Sequence, residues 1–288
     1  MTDRNTKVAI VTDSAAALDS RQLVENGILV AQMEITVNGE TYLDGPEGEI
    51  ADFYSKLTSS SETPTTSAPK PAKYLTRIRS AAEVADSVLC ISLSARLSAA
   101  YDAAKVGAEL FANERPDTQV RVFDSGTAAS SQALIVLAAA RTAASGGSLD
   151  EVEATAGDVA GKVRLVAMLD TLRYVHRSGR VPKAAVWATK ALNIKPVMEY
   201  STGKIGAIAR PRSTGKAITR IQREMTTDLD GKIAHINVMH ADSHQNAADL
   251  EQWASDNLDC AELFVTQFHP FMGAHTGPGL VGASWWAE

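Results

Sequence analysis

Three short polar segments each follow a predicted buried strand, and all three contain hydroxyl groups. They are Thr12-Asp13-Ser14, Ser92-Leu93-Ser94 and Asp124-Ser125. In an open parallel sheet the carboxyl ends of the strands meet at one edge, and ligands bind there. Hydroxyl groups donate hydrogen bonds without carrying charge, which suits a carboxylate or a phosphate. The alternative interpretation is that these residues cap the helices that follow the strands.

Two further segments contain groups that suit an anion. Pro64-Thr-Thr-Ser67 places three hydroxyls before a predicted helix, whose N-terminal N–H groups favour negative charge. Gly273–Gly282 contains a formal GxGxxG pattern, but only six residues follow it, which excludes a dinucleotide fingerprint. We expect these glycines to let the backbone pass close to another group, with His275 and Thr276 at the tip of a strand. For Pro64-Thr-Thr-Ser67 the alternative is an N-cap after a proline loop, and for His275 it is a structural histidine.

Metal binding and nucleophilic catalysis find less support in the sequence. His240 and His244 flank Asp242 at a predicted strand end followed by a helix cap, not on one helix face, and no further zinc ligands accompany them, so we predict solvent-exposed histidines. No HExxH, Walker or GxSxG motif occurs. Basic residues of the second half form a solvated face or offer cations to a phosphate or an acidic partner. These residues are Arg173, His176, Arg177, Arg180, Lys204, Arg210 and Arg212.

The elements that must position these residues alternate between short apolar strands and helices. Over residues 1–160 this alternation predicts βαβ units with right-handed crossovers and a parallel sheet. Over residues 161–288, adjacent strands around a tight turn predict a mixed or antiparallel sheet with helices. The sequence therefore predicts an α/β protein of two α/β domains, with a boundary near residue 160.

Five local predictions concern individual strands, helices, loops and turns. We expect one strand over Ile28–Val37, a loop over Thr58–Pro71 and a helix over Val186–Leu192. Asn38-Gly39 predicts a hairpin turn, and a second tight turn is expected at 201–203.

Composition narrows the class of protein. The chain has 288 residues, a formal net charge of -6 and 45% hydrophobic residues, which excludes a generally basic nucleic-acid binder and a disordered chain. The longest apolar run, Ala133–Ala140, is far shorter than the roughly 20 residues of a membrane-spanning helix. Two cysteines, Cys90 and Cys260, do not make a disulfide scaffold and predict buried thiols in a reducing cytoplasm.

Taken in order, these motifs resemble the DegV family, bacterial fatty-acid-binding proteins of which some are subunits of fatty acid kinase. PTTS, ISLS and HTGPG together make the resemblance specific, and it runs from about residue 8 to residue 283. The matching segments are Val11-Thr-Asp-Ser14, Pro64-Thr-Thr-Ser67, Ile91-Ser-Leu-Ser94, Asp124-Ser125, Leu172-Arg-Tyr-Val175, Arg177-Ser-Gly-Arg180, Lys195-Pro196, Gly203-Lys-Ile205 and His275-Thr-Gly-Pro-Gly279.

The resemblance implies a long-chain fatty acid as ligand, bound between the two domains in a buried tunnel, and no metal. It implies a lipid-binding protein rather than an enzyme, which presents the carboxylate to a separate ATP-dependent kinase subunit. Arg212 is implied in docking that partner, and His275 in assisting phosphoryl transfer. The residues implied in binding the carboxylate are Thr65, Thr66, Ser92, Ser94, His275 and Thr276.

Two alternatives to this function remain open. A serine-dependent hydrolase would use Ser94 or Ser125 with His275. A small-anion binding module would hold no lipid.

Overall fold

The computed structural model describes residues 6–37, 39–45, 50–59, 64–180, 194–201 and 204–288. The chain divides into two compact units. Unit 1 comprises Met1–Ile35, Thr41–Glu47 and Thr66–Gly161, and unit 2 comprises Thr36–Glu40, Gly48–Thr65 and Lys162–Glu288.

A four-stranded parallel sheet forms the centre of unit 1, with its strands in the order β2-β1-β6-β7. Apolar side chains that are almost fully buried, such as Val11 and Val88, pack it against helices. The strands are β1 (Thr6–Asp13), β2 (Leu29–Ala31), β6 (Ala85–Ser92) and β7 (Gln119–Asp124). The helices are α1 (Ser20–Glu25), α3 (Pro71–Ala82), α4 (Ala100–Glu114), α5 (Ala129–Ala144) and α6 (Leu149–Lys162), with a 3-10 turn at Ser14–Ala16.

The strand order places a topological switch point in this sheet. The chain moves from β1 to β2 on one side, and β6 pairs with the other side of β1. Open α/β sheets bind ligands in the crevice outside the carboxyl ends of such strands. Asp13 and Ser92 are the last residues of β1 and β6.

Unit 2 contains a six-stranded mixed sheet with the order β10-β9-β8-β13-β11-β12. Only β11 and β12 pair in parallel, and the other neighbours are antiparallel. The strands are β8 (Arg164–Met168), β9 (Val197–Ser201), β10 (Lys204–Ala209), β11 (Ala234–Ala241), β12 (Cys260–Gln267) and β13 (Leu280–Ala287). The helices are α2 (Ile50–Ser59), α7 (Arg173–Ser178), α8 (Thr214–Leu229), α9 (His244–Asn257) and α10 (Pro270–Thr276).

These two sheets confirm the predicted fold class, with a parallel sheet in the N-terminal part and a mixed sheet in the C-terminal part. Three further short strands form a separate sheet in the order β4-β3-β5. They are β3 (Glu34–Val37), β4 (Glu40–Leu43) and β5 (Thr65–Ser67).

Several local predictions need correction. The strand expected over Ile28–Val37 is two strands, β2 and β3, and the N–H of Met33 between them donates to Ser14 Oγ (3.0 Å). The loop expected over Thr58–Pro71 contains β5, and helix α6 was not predicted. The helix expected over Val186–Leu192 lies outside the described residues. Asn38 of the first predicted turn and residues 202–203 of the second lie outside them as well.

Three findings concern membrane-spanning helices, metal-binding clusters and the cysteines. No helix in the described part of the chain has the length and hydropathy needed to cross a membrane. Among the same residues no cluster of His, Cys, Asp and Glu has the arrangement of a metal site. Cys90 is buried, as predicted, whereas Cys260 at the start of β12 is partly exposed.

Candidate functional site

The carboxylate of Asp13, at the carboxyl end of β1, is the most highly connected side chain at the sheet edge of unit 1. Oδ2 accepts hydrogen bonds from the N–H of Leu93 (2.8 Å) and the hydroxyl of Tyr74 (3.1 Å). Oδ1 accepts from Gln132 Nε2 (3.1 Å) and the N–H of Ala15 (3.2 Å). The sequence placed Asp13 in a polar loop but did not indicate this network, because its partners lie on distant segments.

Burial and hydrogen bonding act on Asp13 in opposite directions. Removal from water raises the pKa of Asp13 to about 6, although the four donors, Leu93, Gln132, Tyr74 and Ala15, each lower it. Burial and the adjacent carboxylate raise the pKa of Tyr74 well above its ordinary value, so its hydroxyl stays protonated and remains a donor. At neutral pH the site therefore holds a buried carboxylate surrounded by neutral donors.

The turn after β6 is fixed at three successive N–H groups by three different acceptors. Leu93 N–H donates to Asp13, Ser94 N–H to the carbonyl of Thr127 (3.0 Å), and Ala95 N–H to Asp124 Oδ1 (3.2 Å). Asp13 and Asp124 are the last residues of β1 and β7, the two strands that flank β6, and Thr127 follows β7. The three polar segments predicted to meet at one edge of the sheet therefore do so through hydrogen bonds.

The two serines of this turn differ in the hydrogen bonds that their hydroxyls make. Ser92 Oγ donates a long bond to the carbonyl of Phe123 (3.5 Å). Ser94 Oγ accepts from the N–H of Arg96 (3.3 Å), which leaves its own proton for another acceptor. Both side chains are buried. Ser94 is thus the better donor for a ligand that only accepts hydrogen bonds.

The neighbouring hydroxyls, those of Thr12, Ser14 and Ser125, form hydrogen bonds with backbone groups of the protein. Thr12 Oγ1 donates to the carbonyl of Ile91 (2.7 Å), and Ser14 Oγ accepts from Met33. Ser125 Oγ donates to the carbonyl of Thr127 (3.2 Å) and accepts from its N–H (3.3 Å). None of these three hydroxyls caps a helix, so the capping interpretation is not confirmed for them. It is confirmed for the carboxylate of Asp13, which accepts from Ala15 N–H at the start of the 3-10 turn.

Thr65 and Thr66 lie side by side in β5, where successive side chains point to opposite faces. Thr65 is exposed and Thr66 is half-buried. The two hydroxyls therefore face different surroundings, which the expectation of a loop did not anticipate.

His275 and Thr276 lie in the last turn of α10 rather than at the tip of a strand, which corrects the sequence prediction. Thr276 Oγ1 donates to the carbonyl of Met272 (3.1 Å), as helical threonines commonly do. The ring of His275 meets the ring of Phe271 edge to face, with 5.3 Å between their centroids. Burial, with the positive charge of Arg180 as the second cause, lowers the pKa of His275 to about 4. The imidazole is therefore neutral at neutral pH.

The glycines around His275 make room for side chains of unit 2. A Cβ at Gly273 would lie 2.6 Å from Tyr54 Oη, which donates to the carbonyl of Phe268 (3.1 Å). A Cβ at Gly277 would lie 2.1 Å from Tyr174 Cδ2, and one at Gly279 would lie 2.7 Å from Asp170 Cβ. The prediction that the backbone passes close to other groups is thereby explained by two tyrosine rings and a carboxylate.

The remaining candidates are placed as follows. Arg212 is exposed in the segment between β10 and α8. His244 is exposed, but His240 is buried, and its Nδ1 accepts from the N–H of Ser243 (3.3 Å). The expectation of two solvent-exposed histidines is therefore wrong for His240. Burial, followed by the nearby His244, lowers the pKa of His240 to about 4.

Comparison with known proteins decides the family. The family described as "Uncharacterised protein, DegV family" matches residues 7–288. A DegV domain-containing protein of Streptomyces coelicolor is 34% identical over 277 residues, with 96% of each chain covered. The chain belongs to the DegV family. The resemblance seen in the sequence motifs is confirmed.

Solved structures of the family share the fold over nearly the whole chain. A DegV family protein of Thermus thermophilus, whose structure concerns fatty acid binding, is 26% identical with a TM-score of 0.89, covering 98% of this chain and 100% of that one. DegV of Bacillus subtilis, a fatty acid binding protein, is 25% identical with a TM-score of 0.86 and the same coverage.

The clash at Gly277 predicts a large loss of stability in Gly277→Ala. Alanine at the observed φ of +75° and ψ of 171°, a region essentially restricted to glycine, is strained by about 1–3 kcal/mol, and displacing Tyr174 adds about 1–3 kcal/mol. Gly179→Ala is the control for a positive φ alone, because Gly179 lies in the left-handed region with a φ of +67° and has nothing within 4 Å of the added Cβ. Urea unfolding is expected to show a clearly larger loss for Gly277→Ala. Equal losses would contradict the predicted strain and clash at Gly277.

The lowered pKa of His275 predicts a pH dependence of stability. The unfolded chain takes up a proton near pH 6.5, whereas folded His275 does so only near pH 4, so acid favours the unfolded state within this window. Between pH 7 and 4.5 the wild type should lose about 2 kcal/mol more unfolding free energy than His275→Gln. Asp13 and His240 are present in both proteins and cancel in the comparison. His176→Gln, at an exposed histidine, should follow the wild type, and parallel curves for wild type and His275→Gln would contradict the assignment.

Proposed function

We propose that this protein binds a long-chain fatty acid and presents its carboxylate to a separate ATP-dependent fatty acid kinase subunit. The observation that carries the lipid part is the likeness to the Thermus thermophilus protein, which extends over 98% of this chain and 100% of that one. The Bacillus subtilis protein supports it independently.

The proposed contacts to the carboxylate come from uncharged donors. Ser94 leads this set, because its hydroxyl is buried and retains a proton to donate. A neutral His275 offers one ring N–H. The complete proposed set is Thr65, Thr66, Ser92, Ser94, His275 and Thr276.

The lipid tail supplies most of the proposed affinity. Burying a methylene contributes about 0.8 kcal/mol, so a 16-carbon chain contributes roughly 10 kcal/mol before the costs of ordering. A hydrogen bond to a charged group contributes about 1.5–3 kcal/mol. The head group therefore determines orientation more than affinity. A small anion without a tail would bind far more weakly.

The hydrogen bonds around Ser94 argue against a serine hydrolase. Such an enzyme stabilises the oxyanion with preorganised donors, commonly backbone N–H groups near the nucleophile. The N–H groups of Leu93, Ser94 and Ala95 are already bonded to acceptors of unit 1. The hydroxyl of Ser125, the other candidate nucleophile, makes two bonds to Thr127.

A kinase partner would meet the exposed Arg212, and His275 would assist at the head group. Because its pKa is lowered to about 4, His275 is neutral at pH 7 and able to accept a proton or to donate a hydrogen bond. The sequence contains no nucleotide-binding loop, so the proposal assigns ATP binding to the partner.

Lipid binding is tested on protein purified without added ligand. Organic extraction of denatured protein should yield a stoichiometric fatty acid by mass spectrometry. Palmitate added to delipidated protein should raise the melting temperature, because a ligand of the folded state stabilises it. Ser94→Ala should weaken palmitate binding about tenfold. Ser98→Ala, which removes a hydroxyl that accepts from Ala100 N–H in the same segment, should bind like the wild type. The proposal fails if wild-type protein yields no acyl chain and palmitate leaves its melting temperature unchanged.

Partner docking is tested by reversing the charge of Arg212. With an ATP-binding fatty acid kinase subunit present, Arg212→Glu should reduce acyl-phosphate formation at least about tenfold, the equivalent of about 1.4 kcal/mol, while palmitate affinity stays at the wild-type value. Arg223→Glu makes the same charge change on the exposed face of α8 and should retain full turnover. Full turnover with Arg212→Glu would exclude this residue from docking.

A further inference from the structure

We propose that Asp13 is a positioning residue for the head-group turn and acts through the hydrogen bond that it accepts from Leu93 N–H. The inference rests on the proposed function and goes beyond the six residues assigned to the head group. Leu93 lies directly between Ser92 and Ser94, so its peptide determines where both hydroxyls stand.

Three hydrogen bonds anchor this turn. The bond that Asp13 accepts is the shortest, at 2.8 Å, against 3.0 Å for the bond to Thr127 and 3.2 Å for the bond to Asp124. It is also the one with a fully buried ionised acceptor, since Asp124 is half-buried and Thr127 contributes a neutral carbonyl. Hydrogen bonds to an ionised acceptor are roughly twice as strong as neutral ones.

The carboxylate is itself held from three other directions. Tyr74 on α3 reaches Oδ2, Gln132 on α5 reaches Oδ1, and Ala15 belongs to the 3-10 turn after β1. Tyr74 shares the oxygen that Leu93 uses, and Gln132 and Ala15 hold the second oxygen of the same carboxylate. Two helices of unit 1 therefore restrain the serine turn through one side chain, which is the arrangement that positions a binding group accurately.

The inference requires an acceptor at Asp13, but it does not require the negative charge. In Asp13→Asn the amide oxygen can take the Oδ2 position and accept from Leu93. Its NH2 group then takes the Oδ1 position, where it loses the bond from Ala15 N–H. It can instead donate to Gln132 Oε1, which is buried without a partner among the described residues and becomes available when that amide flips. Asp13→Ala removes both oxygens. The two variants therefore separate acceptor from charge.

The test measures palmitate affinity on delipidated full-length protein by calorimetry, with folding checked by circular dichroism. Asp13→Ala should bind at least about tenfold more weakly than the wild type, and Asp13→Asn should recover most of that loss. In the Ser94→Ala background, Asp13→Ala should cause a smaller further loss than in the wild type, because the Ser94 contact is already removed and only the placement of Ser92 is still affected. Asp19→Ala, which removes a carboxylate that accepts a backbone N–H at the start of α1, should leave affinity unchanged.

Three results would overturn the inference while wild-type protein still binds palmitate. They are wild-type affinity in Asp13→Ala, equal losses in Asp13→Ala and Asp13→Asn, and fully additive losses with Ser94→Ala. If Asp13→Ala does not fold, Tyr74→Phe tests the same chain of contacts by removing one donor to Oδ2. It should weaken binding about threefold, and this effect should be smaller in the Ser94→Ala background. An undiminished effect there would overturn the inference as well.

Discussion

A buried carboxylate with no cation beside it among the described residues is the constraint on which unit 1 depends. Removing such an ion from water costs several kcal/mol, and Asp13 is stable there because four donors replace its hydration. Those donors belong to the 3-10 turn after β1, the turn after β6, and helices α3 and α5. The sheet edge and the two helices must therefore form together. The segment that carries Ser94 is consequently anchored by the same carboxylate that joins the sheet edge to the two helices.

In unit 2, His275 is positioned by glycines, whose lack of a side chain leaves room for neighbouring aromatic rings. Gly273 admits Tyr54, and Gly277 admits the ring of Tyr174 at a backbone angle that other residues rarely adopt. Glycine inside a short helix costs about 1 kcal/mol relative to alanine. Close packing of two aromatic rings offsets that cost and fixes α10, so His275 is held in a buried position where its pKa is lowered.

The sequence predicted what depends on local pattern and missed what depends on distant partners. Apolar runs ending in polar residues indicated β1, β6 and β7, and the parallel sheet then placed their ends at one edge. The hydrogen-bond network around Asp13 was not predictable, because Tyr74, Leu93 and Gln132 lie 61, 80 and 119 residues away along the chain. Strand β5 has three residues and exists through pairing rather than through its own periodicity. The many glycines near His275 favoured a strand tip, since the rings that fill their space are not apparent from the sequence.

On the proposed function, uncharged donors have a consequence for the release of the fatty acid. An arginine at the head group would bind a carboxylate through two parallel charge-assisted bonds and would cover both oxygens. A single serine hydroxyl leaves acceptor positions of the carboxylate open to a second protein. Because the tail supplies roughly 0.8 kcal/mol per methylene, affinity does not require a strong head-group contact. On the proposed function, the same chemistry that makes the head-group contact weak makes the carboxylate accessible, and the accuracy of its placement then depends on how rigidly the turn around Ser94 is held.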